Sequence, residues 1–299
     1  MFSEGYLLQQ LLNGLTLGSM YALVAIGFSL IFGILSLINF AHGDVLMLGA
    51  FAAYFLVHWF GISFWVLVVL ILIFGALLGL LIERVAFRPI RKAPPITGFI
   101  TSLAVATFIE NAGILIVTAQ PRNFPVPDFL NKLFTVGTVS CRGIDLVIIF
   151  LSLFLMAILT LFVKKTKIGM AMRATAENLD AARLMGIRVN RVIALAFAIG
   201  SALAAIAGMM WGSKYGQIDP LMGFVPGLKA FVAAVIGGIE SMPGAMLGGY
   251  FLGFSEVLFV GLLPPEMGSY RDAFVFSLLI LILLLKPSGI LGRREEAIK

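Results

Sequence analysis

Residues 237–244 read Gly-Gly-Ile-Glu-Ser-Met-Pro-Gly. They interrupt an apolar run, 225–263, that is too long for one simple membrane helix, and they carry too many helix breakers to continue as one. Working outward, further apolar runs close to the ~20 residues a helix needs to cross hydrocarbon lie near 7–34, 43–60, 63–83, 96–118, 144–163, 192–211 and 272–285. Of the 299 residues, 61% are apolar and 12% charged, whereas soluble domains carry about 25% charge. The expected fold is all-α: a polytopic integral membrane protein of about eight to ten transmembrane helices, with broken or re-entrant segments.

Basic residues orient the spans. Fifteen of the 21 Lys and Arg fall in three stretches: 84–92, 164–191 and 286–299. By the positive-inside rule these are cytoplasmic. A periplasmic loop is then expected over 119–143, where Pro121, Pro125 and Pro127 suit an exposed connection. The same parity requires 225–263 to begin and end outside, so it must turn round within or across the membrane. Trp59, Trp65 and Trp211 all sit at span ends this scheme makes external, as interfacial anchors should. The N-terminus lies outside if 7–38 crosses once. Met1 to Gln10 contain Glu4 and no basic residue, unlike the n-region of a cleaved signal, so the first apolar run reads as a retained span.

A weak internal repeat accompanies the break. Met47-Leu48-Gly49-Ala50-Phe51 and Met246-Leu247-Gly248-Gly249-Tyr250 lie 199 positions apart, and each follows a polar interruption. The first interruption is Asn39-Phe40-Ala41-His42-Gly43-Asp44, the second Gly237, Gly238, Glu240 and Pro243 with their neighbours. Paired interrupted segments are the usual sequence pointer to a translocation site, so these ten residues are the candidate substrate pathway. The expectation is that the two breaks face each other near mid-membrane. Asp44, Glu110, Glu240 and Glu256 lie in or beside spans, where acids mark either a pathway or a buried packing contact; both readings stand for Glu110 and Glu256. His42 could equally cap a broken helix.

The loop 164–191 contains Glu177-Asn-Leu-Asp-Ala-Ala-Arg-Leu-Met-Gly-Ile187. Read as one helix, it puts Ala171, Ala174, Asn178, Ala181, Ala182 and Met185 on one small face. Arg173 with Glu177 and Asp180 with Arg183 could pair on the other side, and Gly186 supplies a left-handed stop. A small-residue face lets another subunit approach closely.

Several chemistries are missing. There is no Gly-x4-Gly-Lys-Ser/Thr loop for ATP phosphates and no Gly-x-Ser-x-Gly. Neither histidine, His42 or His58, stands in a metal-binding pattern, and the single Cys141 offers no disulfide or Cys-based metal site. No catalytic residue, cofactor or metal is expected. The net charge of +6 is explained by membrane-flanking loops and lipid headgroups rather than nucleic acid.

Asn13-Gly-Leu-Thr-Leu-Gly-Ser-Met-Tyr-Ala-Leu23, Ile38 to Asp44, Glu83-Arg-Val-Ala-Phe-Arg-Pro89, Gly237 to Gly249 and Lys286-Pro-Ser-Gly-Ile-Leu-Gly292 resemble, nearly end to end, the high-affinity branched-chain amino-acid permeases of bacterial ABC importers, and the first of their two permease subunits in particular. The resemblance implies a single permease domain, 1–299, in the bacterial inner membrane. Its implied partners are a second permease, two cytoplasmic ATPases that bind the ATP, and a periplasmic amino-acid-binding protein. It also implies that Asp180-Ala181-Ala182-x3-Gly186, with Glu177, is the ATPase-coupling helix, Asp standing where the family motif has Glu. The Ile-x-Leu-Pro that often follows is absent. Urea, short-amide or sugar cargo is the alternative within the superfamily. A secondary transporter using Glu110 or Glu256 as a proton relay is the alternative from another class.

Overall fold

The computed structural model describes residues 4–292, and Arg293, Arg294 and Lys299 of the third basic stretch lie outside them. The elements are α1 Glu4–Leu35, α2 His42–Phe60, α3 Phe64–Ile82 with a π-turn Glu83–Phe87, α4 Pro95–Val117, β1 Arg122–Asn123, α5 Asp128–Asn131, β2 Leu133–Val136 and β3 Val139–Arg142. They continue with α6 Gly143–Lys165, α7 Lys167–Glu177, α8 Leu179–Leu184, α9 Val189–Tyr215, β4 Gln217–Ile218, α10 Phe224–Gly237, α11 Met242–Leu262, a 3-10 turn Pro265–Tyr270 and α12 Arg271–Leu285. Among the described residues seven helices are long and apolar enough to cross a membrane. α10, at 14 residues, measures about 21 Å, short of the ~30 Å hydrocarbon core.

The centre is α1 and α9, the two most completely buried spans. α1 packs chiefly on α11, and α9 on α2 and α3. Glycines make this closeness possible: Gly75 and Gly79 of α3 meet Ser201 and Ala202 of α9, and Gly253 of α11 meets Gly18 of α1. Such small-residue contacts replace the hydrophobic drive that lipid removes.

The chain ends and loops sort into two faces. On one, Arg91 donates to Asn190 Oδ1 at 2.5 Å and pairs with Glu83, while Arg173 donates to the Val163 carbonyl. The amides of Ile290 and Leu291 bond the carbonyls of Ile236 and Gly237 at 2.8 and 2.9 Å. On the other face β1 pairs with β4, the Ser140 amide bonds Gln9, and the Tyr6 hydroxyl donates to the Gly261 carbonyl. All described basic residues of the three stretches belong to the first face or its flanks, the face that the positive-inside rule expects to be cytoplasmic. The segment 225–263 therefore begins and ends on the side of the 119–143 loop, and the N-terminus of α1 is on that side too.

The turn itself differs from expectation. Break two lies at the cytoplasmic face, hydrogen-bonded to residues 290–291, and not at mid-membrane. Gly238 takes φ +107°, a conformation open to glycine, and Gly292 crowds the place where a Cβ would sit. Ser241 then caps α11 by accepting from the Gly244 amide at 3.1 Å. Break one is the deeper of the two. Residues 36–41 leave α1 and climb back, so α2 starts with His42 beside Gly27, about 12 Å along α1 from its end at 1.5 Å per residue.

An ion-pair cluster fastens the short α10. Lys229 Nζ lies 2.9 Å from Glu256 Oε1 on α11 and 2.7 Å from Asp272 Oδ1 on α12. Arg271 Nε is 3.0 Å from Glu256 Oε1, and the Tyr21 hydroxyl of α1 donates to Glu256 Oε2 at 2.9 Å. Lys229 and Glu256 are almost fully buried. Removing one charge leaves its partner uncompensated, at a cost of about 3–5 kcal/mol, whereas removing both is far milder. Lys229→Met or Glu256→Gln alone is expected to lower the melting temperature of the detergent-purified protein sharply, and the double variant to recover at least half of the loss.

Topology has its own check. Single cysteines at Gly216 and Gly268, in a Cys141→Ser background, are expected to react with an impermeant thiol reagent added from outside, and a cysteine at Gly186 only after the membrane is opened.

Candidate functional site

Two regions carry the sequence-predicted residues. The first is the cytoplasmic pair α7 and α8. The single helix expected here is divided at Asn178, whose backbone is extended (φ −157°, ψ 112°). Its side chain accepts from the amides of Asp180 and Ala181 at 3.0 and 2.9 Å, capping a new helix instead of continuing the old one. The expected small face is thereby dispersed. Ala182 is buried inward together with Met172 and Thr175, while Leu184 and Met185 are 89% and 83% exposed. Glu177, Asp180, Ala181 and Gly186 are exposed as well. Arg183 pairs with Asp180 at 3.0 Å, as read from the spacing; Arg173 instead reaches the Val163 carbonyl. Gly186 has φ +81° with open space about it.

What the loop offers a partner is therefore an apolar tip, Leu184-Met185, ringed by charges. Leu184→Asp and Met185→Asp are expected to reduce co-purification of an ATPase partner at least tenfold without loss of membrane insertion. Ala182→Arg should instead destabilise the loop itself, visible as faster proteolysis between α6 and α9.

The second region is break one. Gly43 packs directly on α10: a Cβ there would come within 2.5 Å of the Gly223 carbonyl oxygen and 3.1 Å of Gly227 Cα. Break one thus meets the N-terminal end of α10, while break two stands at its far end, so the two interruptions do not face each other. Asn39 is buried with its Oδ1 unpartnered, and neither nitrogen of buried His42 has a hydrogen bond of normal geometry. The His42 ring instead packs against Phe28 with the planes tilted by 58° and the centroids 4.5 Å apart. Ala41 supplies the N-cap of α2.

Phe40 and Asp44 line a cavity of about 90 Å³ together with Phe28, Thr107, Glu110 and Phe224, and no basic residue lines it. Two carboxylates from different elements thus share an aromatic pocket without a fixed counter-cation. Around it, Thr107 and Asn111 are exposed on α4, the least buried long helix. Asn111 donates to the Thr107 carbonyl one turn back at 2.7 Å, which satisfies its amide within the helix. Glu240 and Pro243 line a different cavity, against α6 and α7 at the cytoplasmic face. Gly237 and Gly238 are buried against Gly244 and Gly292, with no access to either cavity. Glu256 is engaged by Lys229 and Arg271.

The family described as "Branched-chain amino acid transport system / permease component" matches residues 10–283. The chain belongs to this family. It is 42% identical to the high-affinity branched-chain amino acid transport system permease protein LivH of Escherichia coli, over 97% of both chains. It is also 42% identical to the corresponding protein BraD of Pseudomonas aeruginosa, over 96% of both, and 26% identical to the ribose import permease protein RbsC of Haemophilus influenzae, over 92% of this chain and 84% of that one. No solved structure matches. With its membrane-crossing helices, the protein is a multi-pass membrane permease.

Sequence reasoning missed Lys229, Arg271, Asp272 and Tyr21. The signal was present: a single Lys inside the apolar 14-residue α10 can stay charged only beside an acid, and Glu256 was an unexplained intramembrane acid.

Proposed function

We propose that the protein is one permease of a heterodimeric ABC importer in the bacterial inner membrane, and that it moves leucine, isoleucine and valine. A periplasmic binding protein delivers the amino acid, a second permease completes the channel, and two cytoplasmic ATPases dock on α7–α8 and hydrolyse the ATP. The observation that carries the cargo is the 42% identity to two branched-chain amino-acid permeases over nearly the whole chain, against 26% to the ribose permease.

The geometry supports that choice. The route runs along the groove where Asn39 to Asp44, α4 and the start of α10 meet, with Glu240 and Pro243 at its cytoplasmic side. Asp44 and Glu110 would take the ammonium of a zwitterion, and Phe28, Phe40 and Phe224 its aliphatic side chain and the cation's flank. A sugar has no positive charge to place there. The proton-relay reading loses Glu256 to its ion pairs, and it gives no role to the exposed tip of α8.

The test is co-expression with the candidate partners, purification in mild detergent and reconstitution. Two ATPases and a second permease should co-purify, and labelled leucine should enter only with ATP and binding protein. Asp44→Asn and Glu110→Gln should each cut leucine uptake at least tenfold with assembly unchanged. Unchanged uptake in both would remove the groove from the route; uptake by the protein alone, driven by a pH gradient, would remove the ABC reading.

A further inference from the structure

The cavity at the cytoplasmic face encloses about 420 Å³, within the ~300–1,000 Å³ range of small-molecule sites. It is built from five places: the last turns of α1, the end of α6, the C-terminal half of α7, break two with the first residues of α11, and Leu291 of the C-terminal segment. Two helix termini of opposite sense open onto it. The last carbonyls of α1, around Gly33 and Ile34, have no further helical turn to accept from and form a negative end; the Met242 amide, the one first-turn N–H of α11 that neither Pro243 removes nor Ser241 caps, forms a positive one. Both signs of charge line it as well, Lys164 and Arg173 against Glu177 and Glu240, with Leu30, Val163 and Met172 between them. Ser29, 2% exposed, contributes a hydroxyl with no hydrogen-bond partner, and buried polar groups left unpaired are exceptions that need a reason.

We propose that this cavity binds a free aliphatic α-amino acid from the cytoplasmic side and thereby restrains the coupling helices. The carboxylate sits at the α11 terminus and the basic pair, the ammonium at the α1 terminus and the acids, and the side chain against the aliphatic wall. The Ser29 hydroxyl supplies one further hydrogen bond. One wall is α7, which leads through Asn178 into α8 and its ATPase-docking tip, and the others belong to the membrane body. A ligand touching both binds best in one relative arrangement of the two, so it shifts their equilibrium by its differential affinity. By linkage, ATPase-driven movement of α7 changes the affinity of the site equally. Imported product thus slows its own further import.

This inference rests on the amino-acid cargo proposed above, and the experiment separates the two. Equilibrium dialysis of labelled leucine is run on the purified transporter assembly without binding protein. Saturable binding is expected, weakened at least tenfold by Thr160→Phe, which fills the cavity from a half-buried position on α6, and weakened severalfold by Ser29→Ala. The second arm compares initial uptake into vesicles that are empty or preloaded with leucine. Preloading should slow the parental protein severalfold and leave Thr160→Phe, or Ser29→Ala if the bulkier variant does not fold, unaffected. No saturable binding, binding that neither cavity variant weakens, or inhibition that neither cavity variant relieves would each overturn the proposal. Absent uptake in empty vesicles would count against the transport reading alone, because the binding arm judges the cavity independently.

Discussion

A backbone amide in hydrocarbon has no water to bond, so any break in a membrane helix must be enclosed by protein or wetted by a cavity. This chain contains two such breaks, and the rest of the architecture follows from how each is enclosed. Break one, inside the membrane, is closed off by the bare backbone of Gly223 and Gly227 pressing on Gly43. Break two, at the cytoplasmic face, is satisfied by the C-terminal segment, whose Ile290 and Leu291 amides bond the last carbonyls of α10. The helix between these two closures, α10, cannot cross the membrane alone, and the pairing of Lys229 with Glu256 and Asp272 holds it to α11 and α12.

This division places two different tasks at the two ends of one short helix. At its start lies an aromatic groove with two acids and no basic lining residue. At its end lies a chamber bounded by α7. The ion pairs and the glycine contacts tie α10 to α11, so the two ends are joined by packed helices and not by a flexible link. α1 and α9, the most buried spans, form the centre on which these helices pack.

The loop 164–191 shows how one side chain redirects an otherwise reasonable helical reading. The 3.6-residue periodicity through 171–187 is real, but Asn178 offers its own side-chain oxygen to two amides that helix continuation would have used for carbonyls one turn back. The kink turns Ala182 inward and pushes Leu184 and Met185 out. An apolar tip among charges suits insertion into a cleft better than the flat small face that an unbroken helix would have shown.

Spans, their direction and the existence of both breaks were legible in the residues, because hydropathy, basic loops and Gly/Pro punctuation act locally and each residue carries its own part of the signal. The observed helices fall within a few residues of the apolar runs, and 225–263 is entered and left from the face that carries the 119–143 loop. The depth of the breaks was not legible, since depth depends on which helix each break packs against; Gly43 on Gly223, and Gly237 on Gly244, are contacts between residues distant in sequence or across a turn. The same holds for chemistry. Glu256 stood as an intramembrane acid with two readings until the fold brought Lys229 and Arg271 to it, and Asp44 and Glu110 became a pair because α2 and α4 converge on one pocket. Sequence determined which polar residues enter the membrane; tertiary packing decided which of them are neutralised and which remain open to a ligand, because charge compensation in a low-dielectric interior is settled over a few ångströms.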